Sequence, residues 1–390
     1  MQHSAERNAQ EQSQFSLLRE RRFLPFFCTQ FLGAFNDNVY KNALIIMLAF
    51  HAAGMTSMSS GMLVNLCAGL FILPFFLFSA TAGQLADKYE KSAIIRYVKL
   101  LEIGIMVIGA IGFMHKDLTP LIGALFLMGL HSTIFGPVKY SILPQHLKAD
   151  EIVGGNGMVE MGTFLAILAG TILGGLLVAQ AQFALLVSAA VIGIACLGYL
   201  ASRAIPSAPP AAPDLKINWN PLTETWANFK FTKQNRTVFL SVLGISWFWF
   251  YGATLLAQFP NYCKEVLGGD EHVATLMLTM FSVGVGTGSL LCERLSRGHL
   301  ELGLVPFGSI GMTLFTADLF LAFSQKLHVD RELSGHGLER FDCLDVGVHL
   351  AFVVGGAATV EATVPLHRLE GTGVPQLHRP RGLDVVVGVE

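Results

Sequence analysis

Charge is what this chain has least of. Asp, Glu, Lys and Arg make up 14% of its 390 residues, whereas soluble domains carry about 25%. Acidic and basic residues nearly cancel, to a net charge of −2, and no basic tract offers a seat for nucleic acid. Cysteine is scattered: Cys28, Cys67, Cys196, Cys263, Cys292 and Cys343 contain no Cys-x-x-Cys pair. They read as small apolar residues rather than metal ligands or disulfides. There is no Gly-x4-Gly-Lys loop to cradle a nucleotide phosphate, so ATP is not the expected energy source. No histidine has an aspartate five residues on; His146 to Asp150 is one short. The His-x4-Asp arrangement with which a lipid acyltransferase would activate a hydroxyl is therefore missing. Residues 1–22 are polar and end in Arg19, Arg21 and Arg22. They lack the short apolar core and small-residue cleavage site of a signal peptide, so the first apolar span is expected to act as an uncleaved membrane signal. No catalytic residue, cofactor or metal is expected.

Apolar residues fill the space. They make up 52% of the chain, with 29 Phe and a mean hydropathy of +0.53, which marks an all-α integral membrane protein. Apolar runs fall at about 23–50, 61–81, 93–114, 118–136, 152–179, 183–202, 237–259, 273–292 and 301–324, and about 20 such residues cross a bilayer as a helix. Basic residues between the runs alternate. They gather before the first run, around Lys88, Lys91 and Arg96, around Lys139 and Lys148, from Arg203 to Arg236, and at Arg294 and Arg297. The connections between these groups carry few or none. Because basic loops stay inside, the N-terminus is expected in the cytoplasm.

The runs divide into a six-helix half at 23–202, a linker at 203–236 and a partial half of about three helices at 237–324. The linker opens with Pro206, Pro209, Pro210 and Pro213, a stiff extended stretch. Asn220-Pro221 then starts a short helix through Trp226 and Phe229. It suits either a helix lying at the cytoplasmic lipid interface or a plain connection. From about residue 325 the composition changes. Residues 325–390 contain no Ile, Met, Asn, Trp or Tyr, yet hold five of the 12 His. A native hydrophilic tail accounts for this, as does a departure from the reading frame, since excess Val, Gly, Ala, Arg and His is what a GC-rich gene encodes out of frame. The composition favours the second, and on that reading the shortened chain is a truncated product.

The polar insert Asn36-Asp37-Asn38 with Lys41 interrupts the first run. Charges at that depth are expensive and usually face a bundle interior or a water-filled path. Gln30, Asp37 and Lys41 share one helical face, and Asp37 and Lys41 are spaced to pair at i, i+4. The insert reads as the wall of a transport cavity, or as a neutralised pair that fixes helix packing. Gly136-Pro137 is expected to break the fourth span and free carbonyls to line a cavity. Lys139 beyond it offers a cation for a phosphate, or a basic anchor at the membrane edge; Glu160 offers a partner for it. Gly170 and Gly174 read as a close helix contact. Trp247, Trp249 and Tyr251 read as packing or interfacial anchoring, with an acyl-chain contact as the alternative.

Between the second and third runs stands Gly83-Gln84-Leu85-Ala86-Asp87-Lys88-Tyr89-Glu90-Lys91. It resembles the cytoplasmic loop motif of the major facilitator superfamily, Gly-x-Leu-Ala-Asp-Arg-x-Gly-Arg-Arg. Gly83, Leu85, Asp87, Lys88 and Lys91 match; Glu90 replaces the second glycine and Ser92 the last basic residue, which counts against the tight turn there. Gly83 is expected to let helices approach, and Asp87 to meet a helix N-terminus and latch one conformation. A weaker echo at Gly288-Ser289-Leu290-Leu291 with Arg294 and Arg297 lies one six-helix half further on.

A second set of segments is similar to the bacterial lysophospholipid transporter branch of that superfamily. It comprises Phe35-Asn36-Asp37-Asn38, the run from Phe135 to His146, and the run from Asn156 to Thr163. The resemblance implies a major-facilitator-type bundle with an incomplete C-terminal half. It also implies a secondary transporter that moves lysophospholipids, chiefly lysophosphatidylethanolamine, across the inner membrane for reacylation. Membrane lipids and an acyltransferase/acyl-carrier-protein synthetase partner follow from it, and Asp37 offers a site for a coupling ion (Na⁺ or H⁺). Asn36, Asp37, Asn38, Lys41, Lys139 and Glu160 are the expected pathway residues; Gly83, Asp87, Lys88 and Lys91 form the expected conformational loop. Cavity polarity alone equally permits an exporter of drugs or small solutes.

Overall fold

The fold comes from a computed structural model, which describes residues 14–51, 58, 60–261, 271–296, 306, 308–314 and 316–317. With no water in the bilayer core, a spanning segment must satisfy its own backbone groups, and the apolar runs accordingly become helices. A 3-10 turn (Gln14–Arg19) leads into α1 (Leu24–His51), α2 (Ser60–Lys88), α3 (Lys91–His115) and α4 (Leu118–Ser141). The short α5 (Leu143–His146) follows, then α6 (Ile152–Val178), α7 (Phe183–Ser202), α8 (Pro221–Gln234), α9 (Arg236–Asn261) and α10 (Glu271–Ser296). No strand occurs among the described residues. Four of these helices are long and apolar enough to cross a membrane, within Asn65–Lys88, Leu118–His146, Ile152–Val178 and Phe183–Ser202. Of the ninth apolar run, residues 306, 308–314 and 316–317 are helical. The remainder of that run and the 325–390 tail lie outside the described residues.

Two helices run past their expected ends. α2 continues beyond 81 to Lys88 because Ala82, Gln84, Ala86 and Asp87 are buried there. α4 does not break at Gly136-Pro137 but passes through Pro137 to Ser141. A proline costs its helix one backbone bond, a loss that neighbouring helices can offset in a bundle. Here Phe135, Val138 and Lys139 are all buried around it.

The described residues form two compact units. The first contains residues up to 155 together with 169–239; the second contains 156–168 and residues from 240 onward. In the first unit α2 packs on α4, α3 on both α4 and α7, and α1 on α7. Its core includes Val39, Tyr40, Leu44 and Met47 of α1, Ile105, Met106 and Phe113 of α3, and Leu125 and Met128 of α4. Tyr40 donates from its hydroxyl to the Leu121 carbonyl at 2.8 Å and meets the Phe113 ring edge-on at 5.5 Å.

Lipid tails are as apolar as leucine, so helix association in a membrane depends on close fit more than on burial of oil. Glycine supplies that fit. A Cβ at Gly170 would stand 2.6 Å from the Phe35 carbonyl oxygen, and one at Gly174 2.7 Å from that of Val39, so α6 lies against the α1 backbone. At Gly129 a Cβ would stand 2.2 Å from the Phe71 carbonyl oxygen, which makes the same kind of contact between α4 and α2.

α3 shows the polarity of the unit. Tyr97, Leu100, Leu101, Ile108, Ile111 and Met114 are exposed, while Lys99 and Glu102 are buried among Ile105, Met106 and Phe113. Apolar outside and charged inside is the pattern of a helix facing lipid. In the second unit Phe164 meets the Phe281 ring at 6.3 Å, Met161 lies beside Gly286, and the Tyr251 hydroxyl hydrogen-bonds Thr316 Oγ1. Trp247 is exposed beside Phe250.

Gly170→Ala and Gly129→Ala should each destabilise the protein by about 1–3 kcal/mol through overpacking against backbone. Gly193→Ala on α7, where a Cβ meets nothing within 4 Å, should be neutral or stabilising by up to about 1 kcal/mol through helix propensity. Thermal unfolding of the purified variants in detergent checks the contrast.

Candidate functional site: a buried charge cluster and a strapped loop

Three helices of the first unit bring charged groups to one dry place. Consecutive residues Asn36 and Asp37 of α1 face consecutive residues His131 and Ser132 of α4, with Lys99 and Glu102 of α3 beside them. All six are buried, Lys99 and Glu102 almost completely. Glu102 is the shared acceptor: its Oε1 accepts from Asn36 Nδ2 at 2.7 Å and its Oε2 from Lys99 Nζ at 2.7 Å. His131 Nε2 stands 3.4 Å from the same Oε2, an ion-pair separation longer than a good hydrogen bond. The ammonium of Lys99 also lies 5.2 Å from the centre of the Phe135 ring. Glycine at position 33 leaves room for it there, since a Cβ would fall 2.3 Å from Nζ.

Beside this pair Ser132 Oγ donates to Asp37 Oδ2 at 2.8 Å. The remaining expected pathway residues each have their own surroundings. Asn38 is buried and donates back to the Ala34 carbonyl of its own helix at 2.8 Å. Lys41 is half-buried with its ammonium 4.3 Å from the Phe71 ring centre. Lys139 is buried in the last turn of α4, 5.0 Å from the centre of the Tyr140 ring. Glu160 is buried on α6 in the stretch that belongs to the second unit. Sequence reasoning missed Lys99, Glu102 and His131, although the signal was present: Lys99 and Glu102 are charges inside the apolar run 93–114, and such charges face a bundle interior.

The arrangement holds a carboxylate against an ammonium and an imidazole, one residue from the Ser132–Asp37 contact.

The loop between α2 and α3 differs from expectation in two ways. Gly83 makes no close approach: a Cβ there would meet nothing within 4 Å. The helix is instead packed through its neighbours Ala82, Gln84 and Ala86, all buried. Nor does Glu90 disturb the turn that its glycine counterpart would make. Its backbone is extended (φ −63°, ψ 122°), and it caps α3 by accepting from the Ser92 and Ala93 amides at 3.2 and 2.7 Å.

The linker is strapped along this loop. Ala208 N donates to Glu90 Oε1 at 2.8 Å and Lys91 N to the Ala208 carbonyl at 2.9 Å. Ala212 N donates to the Asp87 carbonyl at 2.8 Å, and Asn218 N to Gln84 Oε1 at 2.7 Å. Gln145 of α5 reaches the Pro209 carbonyl at 3.2 Å. Asp87 and Lys91 are buried beneath the strap, and Lys88 extends over the Tyr89 ring, 5.7 Å from its centre. At the same end of the unit Arg22 grips Glu151 with two hydrogen bonds of 2.6 and 2.7 Å and donates to the His146 carbonyl.

Both loop carboxylates lie below their ordinary range. Burial pushes Glu90 up, but the hydrogen bonds from Ala208, Ser92 and Ala93 outweigh it. The hydrogen bond from Arg22 holds Glu151 down against a smaller burial effect.

Two predictions follow from these contacts. Glu102→Ala leaves the Lys99 ammonium buried without its counter-charge and should cost about 3–5 kcal/mol, whereas Lys99→Met with Glu102→Leu should recover most of that stability; thermal unfolding distinguishes them. A carboxylate with a lowered folded pKa stabilises above its unfolded value, near 4.3 for Glu, and that contribution fades as pH falls through the folded value. Wild-type stability should therefore drop as pH is lowered below about 4, and Glu90→Gln with Glu151→Gln should flatten the drop. A slope unchanged by both substitutions contradicts the assignment.

Similarity to known proteins agrees with this geometry. The sequence model of the Major Facilitator Superfamily matches residues 26–329. The protein named lysophospholipid transporter LplT from Klebsiella pneumoniae is 30% identical over 294 residues, 75% of this chain and 70% of that protein. That of Serratia proteamaculans is 29% identical over 279 residues, 70% of this chain and 66% of that protein. The chain thus spans about two thirds of the length of these curated relatives. Among solved structures, the human organic anion transporter MFSD10 matches with a TM-score of 0.62 at 13% identity, over 88% of this chain and 85% of its own. A bacterial homologue of the iron transporter ferroportin matches with a TM-score of 0.55 at 14% identity, over 87% and 84%. With its helical bundle, its loop at Gly83–Lys91 and these matches, the chain belongs to the major facilitator superfamily, on the branch that holds the LplT proteins.

Proposed function

We propose that the chain is a secondary transporter that moves lysophospholipids, of the lysophosphatidylethanolamine class, across the bacterial inner membrane by alternating access. The observation that carries this reading is the 30% identity over 294 residues to a protein named as a lysophospholipid transporter. The site supports it chemically. A single-chain phospholipid brings a phosphate and an ammonium into a low-dielectric interior, where each needs a counter-charge. Buried Lys139 suits the phosphate, and buried Asp37 suits a cation. Exposed apolar faces on α3 give the acyl chain a lipid-like surface outside the polar interior.

In this reading the N-terminus is cytoplasmic, which puts the strapped loop at 83–91 and the Arg22–Glu151 grip on the side where the product is released. Asp37, held by Ser132 beside the Lys99–Glu102–His131 cluster, is the coupling site for Na⁺ or H⁺. Delivery inside feeds a reacylation step supplied by an acyltransferase/acyl-carrier-protein synthetase partner, since a lysophospholipid becomes a bilayer lipid only on gaining a second acyl chain.

Uptake of labelled lysophosphatidylethanolamine by spheroplasts carrying the chain tests the proposal. Uptake above the empty-vector level, lost at least about tenfold in Asp37→Asn (about 1.4 kcal/mol), is the expected result. Uptake at wild-type rate with unchanged Na⁺ and pH dependence in Asp37→Asn sinks the coupling role. No uptake of the lysolipid, together with efflux of a lipophilic dye, turns the reading toward a solute exporter.

A further inference from the structure

The helix α8 is inside out. Its buried residues are Glu224 and Thr232, while Leu222, Trp226 and Phe229 are 68%, 58% and 46% exposed. Trp219, just before it, is 71% exposed. A surface helix facing water shows the reverse arrangement, apolar inward and polar outward. Its polar inner face is locked. Asn218 donates to Glu224 Oε2 at 3.1 Å and is itself bonded to Gln84, and Asn220 caps the helix by accepting from the amides of Leu222 and Thr223. The outer face is equally ordered, with Trp226 and Phe229 stacked at 5.6 Å and the Lys230 ammonium 5.5 Å from the centre of the Trp226 ring.

Charge on this stretch is sorted by side. Between residues 215 and 236 the single acid, Glu224, is buried, whereas Lys216, Lys230, Lys233 and Arg236 are all exposed. Depth is fixed as well. α8 packs on α2, and Asn218, three residues before α8 begins, is tied to Gln84, one turn before α2 ends at Lys88. That is the level at which a membrane helix leaves the hydrocarbon, where tryptophan and lysine are at home.

From the exposed aromatic stripe, its cation-only rim and its position at the end of α2, we propose that the outer face of α8 is a seat for the anionic phospholipid headgroup layer. Trp219, Trp226 and Phe229 enter the headgroup–acyl boundary. Lys216, Lys230, Lys233 and Arg236 meet lipid phosphates, which attract basic residues held near the surface. The seat bears on the transporter because the strap ending at Asn218 is bonded to the 84–91 loop; lipid that holds α8 also holds the strap. This inference is independent of which solute is carried.

The test uses the full chain with Trp247→Phe and Trp249→Phe, so that of its four tryptophans only Trp219 and Trp226 report. It is reconstituted in nanodiscs of neutral phosphatidylcholine or of phosphatidylcholine with phosphatidylglycerol, each made with lipid brominated near the glycerol end of the acyl chain. The expected result is bromine quenching of the tryptophans in both discs, at least about twofold stronger with phosphatidylglycerol, and shielding from aqueous acrylamide. Lys230→Gln with Lys233→Gln, both on the surface, should retain the quenching in neutral discs and lose the preference. Equal quenching in neutral and anionic discs overturns the anionic assignment. No bromine quenching with free acrylamide access overturns the seat itself and leaves the stripe to a soluble protein partner.

Discussion

The Lys99–Glu102 ion pair is the contact on which the first unit turns. Two ions removed from water lose far more solvation than a surface salt bridge returns, so a buried pair survives only with near-ideal geometry and extra hydrogen bonds. Here the geometry draws in three other elements. α1 contributes Asn36 to Glu102 and Gly33 as the floor under the ammonium; α4 contributes His131 and the Phe135 ring; α7 packs along α3, with Gly198 beside the Lys99 stem. The pair thus specifies how four helices pack more than it stabilises them. A slip of any one would strand a charge in an apolar interior.

Around that fixed point, and beside the apolar core, close backbone approaches join the helices of the unit. Gly129 lets α4 meet α2, and Gly170 and Gly174 let α6 meet α1. The cytoplasmic ends, by our orientation, are joined by polar bonds of a different kind. Arg22 and Glu151 join the entry of α1 to the entry of α6, and Glu90 serves at once as helix cap and as anchor for the linker. A dry, charge-specified centre and a hydrogen-bonded rim are suited to a body that moves as one piece, as the halves of a transporter of this class do in alternating access.

Much of the helical architecture was legible because a membrane span is written in a simple alphabet. About 20 apolar residues, bounded by charge, leave few alternatives to a helix. The errors lie where a local rule was asked to decide a tertiary question. Gly136-Pro137 suggested a break, yet the buried neighbours of Pro137 carry α4 through it. Gly83 suggested a close approach, but the close approaches occur at Gly129, Gly170 and Gly174. Glu90 looked like a loss because a glycine usually stands there; it has an ordinary extended backbone and uses its carboxylate as a cap. Lys99, Glu102 and His131 went unread because they lie on two helices and become a site only when α3 and α4 meet. Asn36 and Asp37 drew attention in the sequence because a polar insert in an apolar run stands out within one segment.

Under the proposed function, the first unit is held together by the same kind of chemistry it would use on a cargo: cations and carboxylates kept in a dry interior by matched partners. The central claim is that this interior recognises a single-chain phospholipid. Native mass spectrometry of the purified chain, offered equal amounts of lysophosphatidylethanolamine and diacyl phosphatidylethanolamine, measures it most directly. The account predicts retention of one lysolipid in preference to the diacyl lipid, and loss of that preference in Lys139→Gln with overall lipid binding unchanged. Equal retention of both lipids, or a preference for the lysolipid that survives Lys139→Gln intact, would contradict it.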